Sequence, residues 1–251
     1  MQYHVITSLN KKYWDLGADI NIQSWDKFFP SNVTIHVYSE DGQLGNFSSR
    51  VHWHNLYETC PELLKFEKDH KDDPHYNGEK SVPDKQKYKW RAIKFAHKTF
   101  ALFHARHNVS KWMIWLDADV TCFRSFNDIF LNQICPLSSG VTYLGRPSTH
   151  SECGFVGYNL DNRYVKEFLD HFENFYKGNN LSALEQTHDS YVFDFARRSF
   201  HKQDIFVNLN KDAKTNKHPF HESVLRTFLV HSKGHDKKRK QEKMLKRYKS
   251  L

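Results

Sequence analysis

The chain has 251 residues, of which 39% are hydrophobic, 26% charged and 15% aromatic, with a formal net charge of +8. Only 10 Gly and 7 Pro exclude collagen-like and low-complexity classes, and 20 Phe, 12 Tyr and 6 Trp argue against disorder because they can bury a large core. The mean hydropathy is −0.75, and no apolar run approaches the ~20 residues that a membrane-spanning helix needs.

In chain order, residues 3–8 (Tyr-His-Val-Ile-Thr-Ser) read as a first buried strand. Residues 16–29 mix apolar and polar side chains, with Trp14, Ile22, Trp25 and Phe28 on one face, and Pro30 stops the stretch. Residues 33–39 are rich in β-branched side chains and read as a second strand, closed by the turn signal Glu40-Asp41-Gly42. Residues 69–83 are polar, with two Pro and Asn77-Gly78, and read as a loop. Residues 85–107 contain no Gly or Pro, and Trp90, Ile93, Phe95, Ala96, Phe100, Leu102 and Phe103 recur at helical spacing. Residues 112–116 (Trp-Met-Ile-Trp-Leu) form an uninterrupted apolar strand that ends in Asp117-Ala118-Asp119. Further strands are expected at 141–144, 154–158, 205–209 and 225–230, and helices at 164–176 and 188–200. Strands alternating with helices predict an α/β sandwich with a largely parallel sheet.

From Lys233 to Leu251 there are nine Lys/Arg against two Asp/Glu, a net of +7, so the body carries only +1. The reading is one domain over 1–237 and a basic tail over 238–251. A near-neutral body weakens a nucleic-acid function, which spreads basic residues over a folded face. Cys60, Cys122, Cys135 and Cys153 form no C-x-x-C pair, so neither a zinc ribbon nor a redox motif is indicated. Reduced cysteines of a cytoplasmic protein are expected. The N-terminus lacks a charged n-region and a long apolar h-region, so no secretory signal is expected.

The chemistry concentrates where the 112–116 strand ends. In open α/β sheets, ligands bind beyond the carboxyl ends of strands. Asp117 and Asp119 would repel each other there unless a cation lay between them, and oxygen ligands suit Mg²⁺ or Mn²⁺. The alternative is that Asp117 caps a helix and Asp119 is solvated. His231-Ser-Lys-Gly234-His-Asp-Lys237 follows a late apolar run. Its imidazole would complete an oxygen/nitrogen shell of the kind Mn²⁺ accepts, Gly234 would let backbone approach a phosphate, and Lys237 would offset phosphate charge. Otherwise His231 merely begins the basic tail.

Together these residues resemble the nucleotide-sugar glycosyltransferases of the GT-A fold, D-x-D families that include the glycogenin and lipopolysaccharide galactosyltransferase group. That group carries a C-terminal His-x-x-Gly-x-x-Lys, matched by His231, Gly234 and Lys237; the Pro-Trp that often follows is Lys238-Arg239 here. The chain is also similar to small bacterial or viral glycosyltransferases with an Arg-x-x-Lys-Phe-x-x-Lys helix before the D-x-D strand. The resemblance spans residues 3 to about 237. It implies a Rossmann-like single domain with a mostly parallel central sheet flanked by helices. It also implies a Mn²⁺ or Mg²⁺ cofactor, a nucleoside diphosphate sugar donor with UDP as default, and a glycan or other hydroxyl acceptor.

Carried over residue by residue, Asp117, Asp119 and His231 would bind the metal, with Ala118 beside the donor. Thr7 and Ser8 would line the base and ribose, and Tyr13 or Trp14 would stack on the base. Arg91, Lys94 and Lys98 share a helical face and would reach the diphosphate or donor sugar, or else form a solvated basic face. Glu152 and Gly154 belong to the segment resembling the floor of the sugar site; Glu152 would bond a sugar hydroxyl or be a plain surface acid. Gln186-Thr-His188-Asp189 resembles the start of the helix under the acceptor. Asp189 would be the catalytic carboxylate, as a general base on inversion or a support for the cationic sugar on retention, or else an N-cap. A divalent-dependent phosphoryl-transfer enzyme or nuclease is the second reading. The third is a basic nucleic-acid or membrane-surface module, which rests on the tail alone and its attraction to anionic lipid at the inner membrane face.

Overall fold

The computed structural model describes residues 1–213, 215, 217–232 and 239. In chain order the elements are β1 (Tyr3–Leu9), α1 (Asp19–Phe28), β2 (Val33–Ser39), β3 (Val51–Asn55), α2 (Pro61–His70), α3 (Ala92–Ala105), β4 (Trp112–Leu116), β5 (Val120–Cys122), α4 (Asp128–Ile134), β6 (Val141–Leu144), β7 (Glu152–Asn159), α5 (Arg163–Lys177), α6 (Asp189–Ser199), β8 (Phe206–Asn208) and β9 (Leu229–His231). Seven strands form one sheet in the order β3-β2-β1-β4-β7-β6-β8, and β5 and β9 form a separate antiparallel pair. Strands β1 to β4 are mutually parallel; β7 opposes both β4 and β6, and β8 runs with β6. The expected largely parallel sheet is therefore present, with β7 as its one reversed strand.

Both faces of the sheet are covered, which explains the unbroken apolar run of β4. Met113 and Trp115 point into the core shared with α2, α3, α5 and α6. Trp112, Ile114 and Leu116 point into the opposite core with Ile22, Trp25 and Phe130. Cys60, Cys122, Cys135 and Cys153 are buried and unbridged. Among the described residues no helix is long and apolar enough to cross a membrane. The basic tail, apart from Arg239, lies outside the described residues, as do Gly234 and Lys237.

Several boundaries differ from expectation for identifiable reasons. The 16–29 stretch is interrupted at Gly17, whose φ of 115° lies in the left-handed region, and α1 begins only at Asp19. The 85–107 segment breaks at Arg91 into a 3₁₀ turn, Asp84–Trp90, and α3. Tertiary hydrogen bonds hold that break open: Trp90 Nε1 donates to the Glu185 carbonyl (2.9 Å) and Thr187 N to the Lys89 carbonyl (2.7 Å). The loop over 69–83 contains a helical turn, Pro74–Asn77. The 225–230 stretch is a 3₁₀ turn, Val224–Thr227, followed by β9.

Helix α3 is fastened to its surroundings through His97. Its Nδ1 lies 2.7 Å from Glu40 Oε1 at the end of β2, and its Nε2 lies 2.7 Å from Glu67 Oε1 on α2. Burial alone would lower the imidazole pKa, but the two carboxylates outweigh burial and raise it from 6.5 to about 9. The ring is therefore an imidazolium at neutral pH. Because the folded-state value is raised, its contribution is complete below about pH 6.5 and is lost as pH climbs through about 9. In urea unfolding, the stability advantage of wild type over His97→Gln is expected to shrink by about 3 kcal/mol across that window.

Candidate active site

The site begins where β4 gives out. Asp117 N still donates to the Gly154 carbonyl (3.0 Å), and Val120 N turns back onto the Asp117 carbonyl (3.0 Å). This tight turn puts both acids at the carboxyl edge of the sheet. The chain then enters β5, which pairs with β9 so that Val120 stands opposite His231. Ser232 N donates to the Asp119 carbonyl (3.1 Å) and extends that pairing. His231 Nε2 consequently lies 2.7 Å from Asp119 Oδ1 and 3.9 Å from Asp117 Oδ2. One ligand atom from each of the three residues falls within 4.8 Å of the others.

Helix α1 braces the acidic turn from beneath. Buried Asn21 donates to the Ala118 carbonyl (2.7 Å) and accepts from Thr121 Oγ1 (2.6 Å). Trp25 Nε1 donates to the Val120 carbonyl (2.8 Å), and Ser24 Oγ accepts from Cys122 N (3.0 Å). Sequence reasoning missed Asn21 and Ser24. The signal was present as two polar residues among the apolar positions of a buried helix face.

Asp117 does not cap a helix. Its Oδ1 accepts from Trp115 Nε1 (2.6 Å) and Lys98 Nζ (3.0 Å). Lys98 also reaches Asp189 Oδ2 (2.9 Å), donates to the Cys153 carbonyl, and lies 4.9 Å from the centre of the Trp115 ring. Burial alone would lower the pKa of this ammonium, but Asp117 and Asp189 outweigh burial and raise it. Burial likewise opposes ionisation of Asp189, yet Lys98 prevails and lowers its pKa. Asp189 is the first residue of α6, whose N-cap is His188. Its carboxylate thus serves the Lys98 bridge, and the capping role passes to its neighbour.

A cleft of about 560 Å³ opens over these groups and is lined by Ser8, Tyr13, Arg91, Lys94, Lys98 and Ala118, among others. Lys94 Nζ stands 5.7 Å over the Tyr13 ring. Trp14 turns away and packs edge-on against Phe47 and Trp53, which separates it from Tyr13 as a stacking candidate. Thr7 is fully buried, and of that pair Ser8 faces the cleft. A second cavity of about 450 Å³ shares Asp117, Asp119 and Asp189 with the first and adds Tyr88, His150, Glu152 and His231.

Glu152 is not a surface acid. It is buried on β7, paired with Arg146 and 3.1 Å from His218 Nε2. Gly154 lines the second cavity as well. A Cβ there would lie 2.9 Å from both Cε1 and Nδ1 of His231, so its missing side chain makes room for the imidazole of this chain.

Two substitutions test this geometry. Gly154→Ala must displace His231, and a cost of about 1–3 kcal/mol in urea unfolding is expected. Lys98→Met strands two carboxylates and is expected to cost about 3–5 kcal/mol, partly recovered in Lys98→Met/Asp189→Asn.

No protein-family model and no curated protein matches the chain. Among solved structures, the apo form of mouse xyloside xylosyltransferase 1 is similar at a TM-score of 0.48 and 12% identity, covering 84% of this chain and 86% of that one. The apo form of glycosyltransferase GlyE from Streptococcus pneumoniae TIGR4 is similar at a TM-score of 0.46 and 10% identity, covering 84% of this chain and 46% of that one.

Proposed function

We propose that the chain is a metal-dependent glycosyltransferase that moves a sugar from a nucleoside diphosphate sugar to an acceptor hydroxyl. The observation that carries this reading is the meeting of Asp117 and Asp119, on the wall shared by two cavities, with His231 from the second. Two carboxylates and one imidazole form a donor set suited to Mn²⁺, with Mg²⁺ as the harder alternative. The residues fit such an ion: the His231 ring occupies a cradle that a Cβ at position 154 would fill. When bound, the cation would offset the charge that develops on the leaving diphosphate.

The remaining roles belong to side chains of the cleft. Tyr13 offers a face for the nucleobase, with UDP as the default nucleotide, and Ser8 lies beside it. Arg91 and Lys94 line the same cleft and would meet the diphosphate, where their charge favours the transition state over the ground state. Lys98 holds Asp117 in place and keeps Asp189 ionised. That ionised carboxylate is what either stereochemical course requires of Asp189, whether it takes the acceptor proton or supports positive charge on the sugar. The second cavity, with the Tyr88 ring and polar groups around it, would receive a glycan hydroxyl. In this reading residues 1–237 are the catalytic domain and 238–251 a basic tail.

The test is a thermal-shift panel of nucleoside diphosphates and nucleotide sugars, with and without Mn²⁺. One nucleotide is expected to raise the melting temperature only with Mn²⁺, and Asp119→Asn is expected to abolish that shift while still melting cooperatively. A panel with no Mn²⁺-dependent shift overturns the proposal.

A further inference from the structure

His231 offers two nitrogens to two different neighbourhoods. Nε2 faces Asp119 and Asp117. Nδ1, on the other side of the ring, is buried and makes no hydrogen bond; it lies 3.6 Å from Glu152 Oε1. A ligating imidazole gives its lone pair from one nitrogen and carries its proton on the other. With Nε2 as the ligand, the proton sits on Nδ1, in a buried place where an acceptor is needed.

We infer that Glu152 is a positioning residue that fixes His231 as an Nε2 ligand. This rests on the metal reading above and assigns a role within it. The support continues outward. Glu152 Oε1 accepts from Gly154 N (3.2 Å), and Oε2 pairs with Arg146 and lies 3.1 Å from His218 Nε2. The ring itself is walled by His218 and Phe220, with centroids 5.0 and 5.2 Å away. Rotation of the imidazole is thereby restricted, and a carboxylate behind it favours the Nδ1–H form.

Two rival roles for Glu152 are weaker. Glu152, His218 and His231 also bring ligand atoms within 4.8 Å of one another, as a second cation site would. The Arg146 guanidinium already supplies positive charge to the same Glu152 oxygen that His218 meets. Contact with a sugar hydroxyl from the second cavity, which Glu152 also lines, would compete with Gly154 N and Arg146, which already engage both carboxylate oxygens.

The experiment measures Mn²⁺ binding to the full chain, alone and with UDP, by titrating the free-ion EPR signal. Electron spin-echo modulation reads whether an imidazole ¹⁴N is bound to the ion. Wild type is expected to show ¹⁴N modulation. Glu152→Leu is expected to lose about tenfold to a hundredfold in affinity and to lose the modulation, with Glu152→Gln, which keeps an acceptor, falling between. A folded Glu152→Leu with wild-type affinity and intact modulation overturns the inference. Should Glu152→Leu not fold, Glu152→Gln decides by the same two readings: weakened binding and modulation support the inference, and wild-type values overturn it. Asp119→Asn separates the two levels. If it binds Mn²⁺ as wild type does, or if wild type binds none, the metal reading itself fails and this inference with it.

Discussion

Two like charges at the end of a buried strand are the constraint around which the molecule is arranged. Asp117 and Asp119 cannot stand at the edge of the sheet without compensation. A lysine meets one acid and an imidazole nitrogen meets the other. Lys98 arrives from α3 and neutralises one side of Asp117. His231 arrives through the β5–β9 pairing and meets Asp119. Only three residue pairs form that second sheet, yet they join the acidic turn to a strand from near the end of the described chain. Asn21, Ser24 and Trp25 supply the rigidity that so short a pairing lacks.

Charge burial also ties the walls of the two cavities to each other. Lys98 links Asp117, just beyond β4, to Asp189, at the start of α6. Breaking either contact leaves an uncompensated group in a poorly solvated place, which costs more than the intact pair gains over apolar substitutes. The bridge thus specifies geometry more than it adds stability. His97, one residue earlier on α3, does similar work outward by tying the helix to Glu40 and Glu67. Adjacent positions on one helix therefore face two different charge clusters.

Much of this was legible in the sequence because it depends on local pattern. The apolar run of β4 and the abrupt acids after it marked both the strand and the edge where a ligand would bind. The long apolar periodicity before it marked α3, although the break at Arg91 depends on Glu185 and Thr187 and could not be read locally. What escaped was set by distant partners. β5 is only three residues long and exists because β9 pairs with it. Glu152 gave no sign of its burial, since its environment is assembled from Arg146, His218 and His231. The need for a glycine at 154 was hidden in the same way, since the group that approaches it is an imidazole from far along the same chain.

The β5–β9 closure carries an implication for biosynthesis. A nascent polypeptide can complete β1 to β4 and place its acids long before residues 229–231 leave the ribosome. During that interval the carboxylates have their lysine and no nitrogen ligand. Assembly of the centre therefore waits on residues 229–231, so a polypeptide made only as far as β8 would hold its acids and still be chemically incomplete.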